Sequence, residues 1–191
     1  MNKKEKLALF LGMLCGDGCL SNSHNGRGQR DYPIQFTNNS LVNMQMFDDL
    51  FFDIFGIRGR VSSRKREGRK LIYGFRKYNK EIYNNLTNLG FPMGVKRDKL
   101  RIPQIIVNGN RKEKELFIYG FSITDGHFNK HGGLAFHLGS KDFIEDLKKL
   151  ICSMIDYERE IKNYIQKEKY LSYQLYLNRK EKESILSPSR C

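Results

Sequence analysis

The sequence predicts an α+β fold made of two copies of one αββαββα module. Three observations predict it: a short signature that occurs twice, a constant spacing between the copies downstream of it, and the same order of helical and strand periodicities in each copy. The signature is FLGMLCGDG at Phe10–Gly18 and IYGFSITDG at Ile118–Gly126, an offset of 108 residues. In both, a glycine stands five residues before an aspartate and another follows it. Farther on the match continues at an offset of 100: Phe36 with Phe136, Ser40 with Ser140, Leu71 with Leu171, Tyr73 with Tyr173, Lys80-Glu81 with Lys180-Glu181 and Leu86 with Leu186. The difference falls in one place, because Asp17 precedes Phe36 by 19 residues and Asp125 precedes Phe136 by 11. The first copy therefore carries a longer polar loop, Ser21–Asp31, rich in Asn, Gly, Ser and Arg.

Periodicity places the elements of the first copy in order. A helix spans residues 4–15, and a strand 32–38 puts Tyr32, Ile34 and Phe36 on one face. A helix over 41–55 carries Met44, Phe47, Leu50, Phe51 and Ile54 at helical spacing, a core stripe. Strands at 57–65 and 70–77 are split by the turn Glu67-Gly68, and a helix over 79–89 stops at Gly90. The second copy reads as helix 113–123, strand 133–138, helix 141–155, strands 157–166 and 170–177, and helix 179–186. A short strand after each Asp-Gly pairs with the next one. The modules then cover residues 1–90 and 113–191, with 91–112 linking them.

Bulk properties narrow the function classes. The apolar run Leu7–Cys15 is broken by Gly12, is too short to span a bilayer, and lacks a small-residue cleavage site. The cysteines, Cys15, Cys19, Cys152 and Cys191, form no paired framework, which suits a reduced interior: cytoplasm, nucleoid or organelle matrix rather than secretion. Cys15 and Cys19 flank Asp17 but have no second ligand pair for zinc, so packing accounts for them. Lys plus Arg number 34 against 21 Asp plus Glu, and a net charge of +13 favours a polyanionic partner.

The strands show where such a partner would lie. Side chains alternate across a sheet, so Arg58, Arg60, Ser62, Arg64 and Arg66 share one basic face, joined by Lys70 and Arg76 and by Gln35 and Thr37. Arginine clamps phosphate and reaches guanine edges bidentately. The matching face of the second copy, with His137, Lys162, Tyr164, Gln166, Ser172, Gln174 and Tyr176, is mixed and hydrogen-bonding.

A lone Gly-x4-Asp-Gly reads as a helix ending in a turn. Two in register within a repeated module say more. Gly12 and Gly16 lie on one helical face, matched by Gly120 and Thr124, and small residues at that spacing let two backbones approach. Packed about a pseudo-two-fold axis, the helices would bring Asp17 and Asp125 together, which is costly unless cations sit between them. Carboxylates bridging divalent ions suit phosphodiester hydrolysis.

These two segments resemble the signature motifs of the LAGLIDADG homing endonucleases in their single-chain, two-motif form. The resemblance extends over nearly the whole chain, including Gly94–Pro103 (GVKRDKLRIP) before the second motif. It implies two saddle-shaped antiparallel sheets over the DNA major groove, motif helices packed at the centre, and a monomer that cuts both strands of a long asymmetric site. The cofactor implied is Mg2+, with Mn2+ as a substitute, and the overhangs are short and 3′. Asp17 and Asp125 would be the catalytic metal ligands, completed by the carbonyls of Gly16 and Thr124. One departure stands out. Such enzymes often carry Gln-Lys after the strand matching Tyr32–Thr37, where this chain has Asn38-Asn39 and, in the second copy, Leu138-Gly139. Lys130 is the candidate replacement. Of His24, His127, His131 and His137, the last lies on the groove face. The alternatives are an RNA-binding maturase acting on host intron RNA and a DNA-binding regulator that no longer cuts.

Overall fold

A computed structural model describes residues 1–21, 24, 28, 30–65, 67–68, 70–166 and 170–186, with only the backbone described at 164–166 and 170. The first copy runs α1 (Lys3–Asp17), β1 (Gly18–Leu20), β2 (Pro33–Asn38), α2 (Leu41–Phe55), β3 (Arg60–Arg64), β4 (Ile72–Tyr78) and α3 (Lys80–Asn88). After α4 (Gln104–Val107), a short helix that the periodicity did not predict, the second copy repeats the order. It consists of α5 (Arg111–Asp125), β5 (Gly126–Phe128), β6 (Leu134–Leu138), α6 (Lys141–Cys152), β7 (Lys162–Gln166), β8 (Tyr170–Leu177) and α7 (Arg179–Leu186).

The duplication reaches the caps and the strand register. Asn2 and Asn110 each accept from the N–H three residues on, and Glu5 and Glu113 reach back to complete the capping box. Ser40 and Ser140 cap α2 and α6 alike. The sheets have matching antiparallel orders, β1-β2-β4-β3 and β5-β6-β8-β7. Gly18 pairs with Phe36 as Gly126 pairs with Phe136, and Gly74 with Ser62 as Gln174 with Lys162.

Each sheet buries one face against its helices. In the first copy the Phe36 and Phe47 rings stack at 4.1 Å, and Phe75 and Phe51 close the cluster at 5.0 Å. In the second, Phe121 meets Phe136 at 5.3 Å and Phe143 at 5.1 Å. All are essentially inaccessible, and each such side chain contributes about 2–3 kcal/mol by leaving water.

Three boundaries fall three or more residues from the pattern: β7 starts at Lys162 rather than 157, and the other two differ for local reasons. The third strand starts at Arg60 rather than residue 57, because Asp48 accepts from the Gly59 N–H (3.2 Å) and from the Arg58 guanidinium (2.7 Å), tying this stretch to α2. Helix α6 stops at Cys152 rather than 155, where Ser153 turns its hydroxyl onto the Leu150 carbonyl at 2.7 Å. No described helix is long and apolar enough to cross a membrane.

Candidate functional site

The two motif helices meet backbone to backbone. A Cβ on Gly12 would lie 2.1 Å from the Phe117 carbonyl oxygen, and one on Gly120 would lie 2.4 Å from that of Leu9. Leu9 and Phe117 are themselves 108 residues apart, so the contact is reciprocal, as pseudo-two-fold packing requires. One turn on, a Cβ on Gly16 would overlap Thr124 and lie 3.6 Å from the Asp125 nitrogen. The helices therefore end side by side, with Asp17 and Asp125 as their last residues.

A helix terminus leaves carbonyls without intrahelical donors. Gly18 N–H closes α1 on the Leu14 carbonyl, which leaves those of Cys15 and Gly16. Both accept from the ammonium of Lys96, at 2.7 Å for Cys15 and more closely for Gly16. On α5 the Gly126 N–H closes on Ser122, and the Ile123 carbonyl accepts from Asn43 Nδ2 at 2.9 Å, leaving Thr124 next in line. Thr124 turns its own hydroxyl back onto the Phe121 carbonyl at 2.9 Å.

Asp17 is half-buried, and Asn38 Nδ2 donates to its Oδ2 at 2.6 Å. Asn38 Oδ1 accepts from the Ser40 N–H at 2.7 Å, so the amide is held in place by the cap of α2. Burial pushes the Asp17 carboxyl up to about 6, and Asp125 adds to the rise, while Asn38 and Lys96 oppose it. Asp125 is more open to solvent, yet desolvation by the surrounding chain also raises its pKa, against the pull of Lys96. Lys96 is lowered chiefly by desolvation, with both aspartates working the other way. Cys15 is buried and its thiol is pushed up to about 12, so it is packing rather than a nucleophile or ligand.

Lys96 is the residue that motif reading missed. Lys130 stands in the exposed turn after β5, whereas Lys96 arrives at the helix ends from the segment between the copies. Met93 bridges to Leu20, the Gly94 N–H donates to the Leu20 carbonyl at 2.7 Å, and Gly94 turns with φ 73°. The signal was present in Gly94–Pro103, but the lysine's destination depends on a contact with a strand more than 70 residues earlier.

The donor set is hard oxygen: two carboxylates and the helix-end carbonyls. The Lys96 ammonium on the Gly16 oxygen is a built-in cation at this spot, so the residues suit a divalent ion of the Mg2+ type. Among the described residues no cluster of three or more His, Cys, Asp or Glu stands ready to cage one. The remaining ligands would have to come from water and a bound phosphate.

The predicted contact face is uneven. Gln35, Thr37, Arg60, Ser62, Arg64 and Arg76 line an open groove of about 870 Å3 on the first sheet. Arg58 reaches the same groove but lies outside the strand, ion-paired to Asp48 and Asp49 at 2.7 and 2.9 Å and placed over the Phe52 ring. Lys70 is exposed just before β4, and Arg66 lies outside the described residues. On the second sheet His137 and Lys162 are exposed, and Gln174 stands 3.1 Å from the His137 ring. Tyr176 receives Asn129 Nδ2 on its hydroxyl at 3.2 Å. Ser172, expected on the open face, is buried. Tyr164 and Gln166 occupy β7 opposite Ser172 and Tyr170.

Neither a family model nor a curated protein sequence matches the chain. Solved structures do. I-DmoI in complex with DNA and Mn is 19% identical, with a TM-score of 0.73 over 98% of this chain and 99% of that one. The chain has the two-motif LAGLIDADG fold. The homing endonuclease I-WcaI bound to its DNA recognition sequence shares it at 16% identity and a TM-score of 0.62, over 98% of this chain and 82% of that one. Full-length DUF199/WhiA from Thermatoga maritima also matches, at 12% identity and a TM-score of 0.60, over 97% of this chain but 55% of that one. In this LAGLIDADG fold the motif helices are α1 and α5, and the glycine contact is their interface.

Proposed function

We propose that this chain is a sequence-specific, divalent-metal-dependent double-strand DNA endonuclease that acts as a monomer on a long asymmetric site, as an intron-homing enzyme does. The observation that carries it is the pair Asp17 and Asp125 at the adjoining ends of two helices packed through Gly12 and Gly120, flanked by two equivalent sheets. The two modules, residues 1–90 and 113–191, would each cover one half of the site, and the unequal side chains on their faces make that site asymmetric.

Asp17, Asp125 and the carbonyls of Gly16 and Thr124 would hold Mg2+, or Mn2+ in its place. When bound, such an ion supplies Lewis-acid activation of water and screening of phosphate charge. The chain's own residues prepare for this. Asn38 fixes the rotamer of Asp17 through Oδ2 and leaves Oδ1 to its other partners. Lys96 offsets the mutual repulsion of the carboxylates while the site holds no other cation. With an ion held there, the Lys96 ammonium would be placed to stabilise the charge that builds on a pentacoordinate phosphorus.

The test uses a plasmid library with random inserts incubated with the full chain. In Mg2+ or Mn2+ a subset is linearised and shares a sequence; in EDTA none is. Substituting Lys96→Met lowers the rate on the selected sequence by about 10²-fold, the scale of one transition-state donor. A library that stays supercoiled in both metals while binding the protein would instead support a regulator that does not cut.

A further inference from the structure

The two sheets share one register but not one chemistry. In the first, the row across β2, β4 and β3 is Gln35, Arg76, Arg60, with Arg60 directly opposite Arg76. Like charges so placed destabilise a sheet. Among the described residues the ion pairs engage Arg58, Arg101, Arg111, Arg159 and Arg179, but not Arg60, Arg64 or Arg76. With its oxygen turned toward Arg76, the Gln35 amide accepts from Nε and Nη2 at 3.2 Å each and donates to Ser21 Oγ at 3.2 Å. One edge of the Arg76 guanidinium is thereby held, and its Nη1 donates a longer bond to the Tyr78 hydroxyl at 3.4 Å, so the group is aimed into the groove. The next row, Thr37, Gly74, Ser62, is small, and a Cβ on Gly74 would meet nothing nearer than Ser62 Oγ at 3.8 Å. Beyond it stands Arg64, opposite Ile72.

In the second sheet the small row is filled: His137, Gln174, Lys162. The arginine positions are gone. Ala135 and Tyr176 stand where Gln35 and Arg76 do, and Glu158 and Glu160 precede β7, both exposed. Three arginines outside the described ion pairs on one face thus face a single lysine on the other.

Resting on the reading of these faces as a duplex-binding surface, we propose that the two halves recognise DNA by different means. The first sheet takes a guanine-bearing half-site through Arg60, Arg64 and Arg76 and carries most of the salt-dependent affinity. The second reads an adenine-bearing half-site through Gln174. Arginine pairs bidentately with the O6 and N7 of guanine, and glutamine with the N6 and N7 of adenine. Arg76 and Arg64 lie on rows four residues apart along the sheet, about 13 Å, which is about four base-pair steps. The guanines are expected at that spacing.

The experiment selects duplexes from a random library with the full chain in EDTA and then measures affinity against salt. The expected consensus has one half with guanines about four steps apart and the other half with adenines. Arg76→Lys keeps the salt slope but loses the guanine preference at one position, because lysine retains the charge and not the fork. The triple variant Arg60→Gln, Arg64→Gln, Arg76→Gln removes the guanine preference and lowers the slope by up to about three, and Lys162→Gln lowers it by about one or less. Guanine positions that survive the triple variant, or equal slope changes from the two sheets, overturn this inference and leave the duplex reading standing. If the wild type retains no duplex at all, both fall.

Discussion

Asp17 ties stability to function at the scale of one side chain. Its carboxyl releases its proton near 6 in the folded chain against an ordinary 3.8. Between those values the folded state binds more protons than the unfolded one, so the metal-free protein loses stability as pH rises through that window, and the loss is complete above it. Asp17→Asn removes the penalty. Its melting temperature in EDTA at pH 7.5 should exceed that of the wild type, by at most about 3 kcal/mol of stability, and the gap should close below pH 4. Thermal melts at both pH values check this; a variant less stable than wild type at pH 7.5 would contradict it. Asn38 acts on the same carboxyl with the opposite sign, since its hydrogen bond lowers the pKa. Asn38→Ala should therefore move the acid limb of the cleavage profile to higher pH, a shift absent if Asn38 only packs.

At the scale of elements, the interface of α1 and α5 is where sequence variation is least tolerated. Because the obstacle to a Cβ at Gly12 is a backbone carbonyl 2.1 Å away, no rotamer change relieves it. Gly12→Ala should cost at least about 1–3 kcal/mol, read as a drop in the denaturant midpoint, whereas Gly74→Ala, which opens onto the groove, should leave it nearly unchanged. The motif helices, the order of the elements and the pairing of the short strand after each Asp-Gly were legible because they depend on spacing that a duplicated chain displays twice. The start of β3 and the end of α6 were not, because single side chains, Asp48 and Ser153, decide them. Lys96 was illegible for a different reason. Its role comes from where Gly94 docks on β1, a long-range contact with no periodic trace. Asn43 likewise crosses from α2 to the Ile123 carbonyl of the other copy, and its counterpart by the offset, Phe143, carries no such polar group.

At the scale of the whole molecule, a net charge of +13 is not spread evenly. Residues 1–112 carry nearly all of it, with Arg60, Arg64 and Arg76 on the open face of the first sheet, while Asp48 and Asp49 pair with Arg58 at the edge of that groove and Asp146 pairs with Arg101. Binding to any duplex should accordingly weaken steeply with salt, by about one order of magnitude or more per fourfold rise if several phosphates are contacted. The paired carboxylates are the central claim, and cleavage of a selected site by single-carboxylate variants tests it most directly. Supercoiled plasmid bearing that site should be linearised by the wild type in Mg2+, while Asp17→Asn and Asp125→Asn, still binding it, each lose about 10²-fold or more in rate. Linearisation by either variant at the wild-type rate would contradict the assignment of both carboxylates to the chemistry.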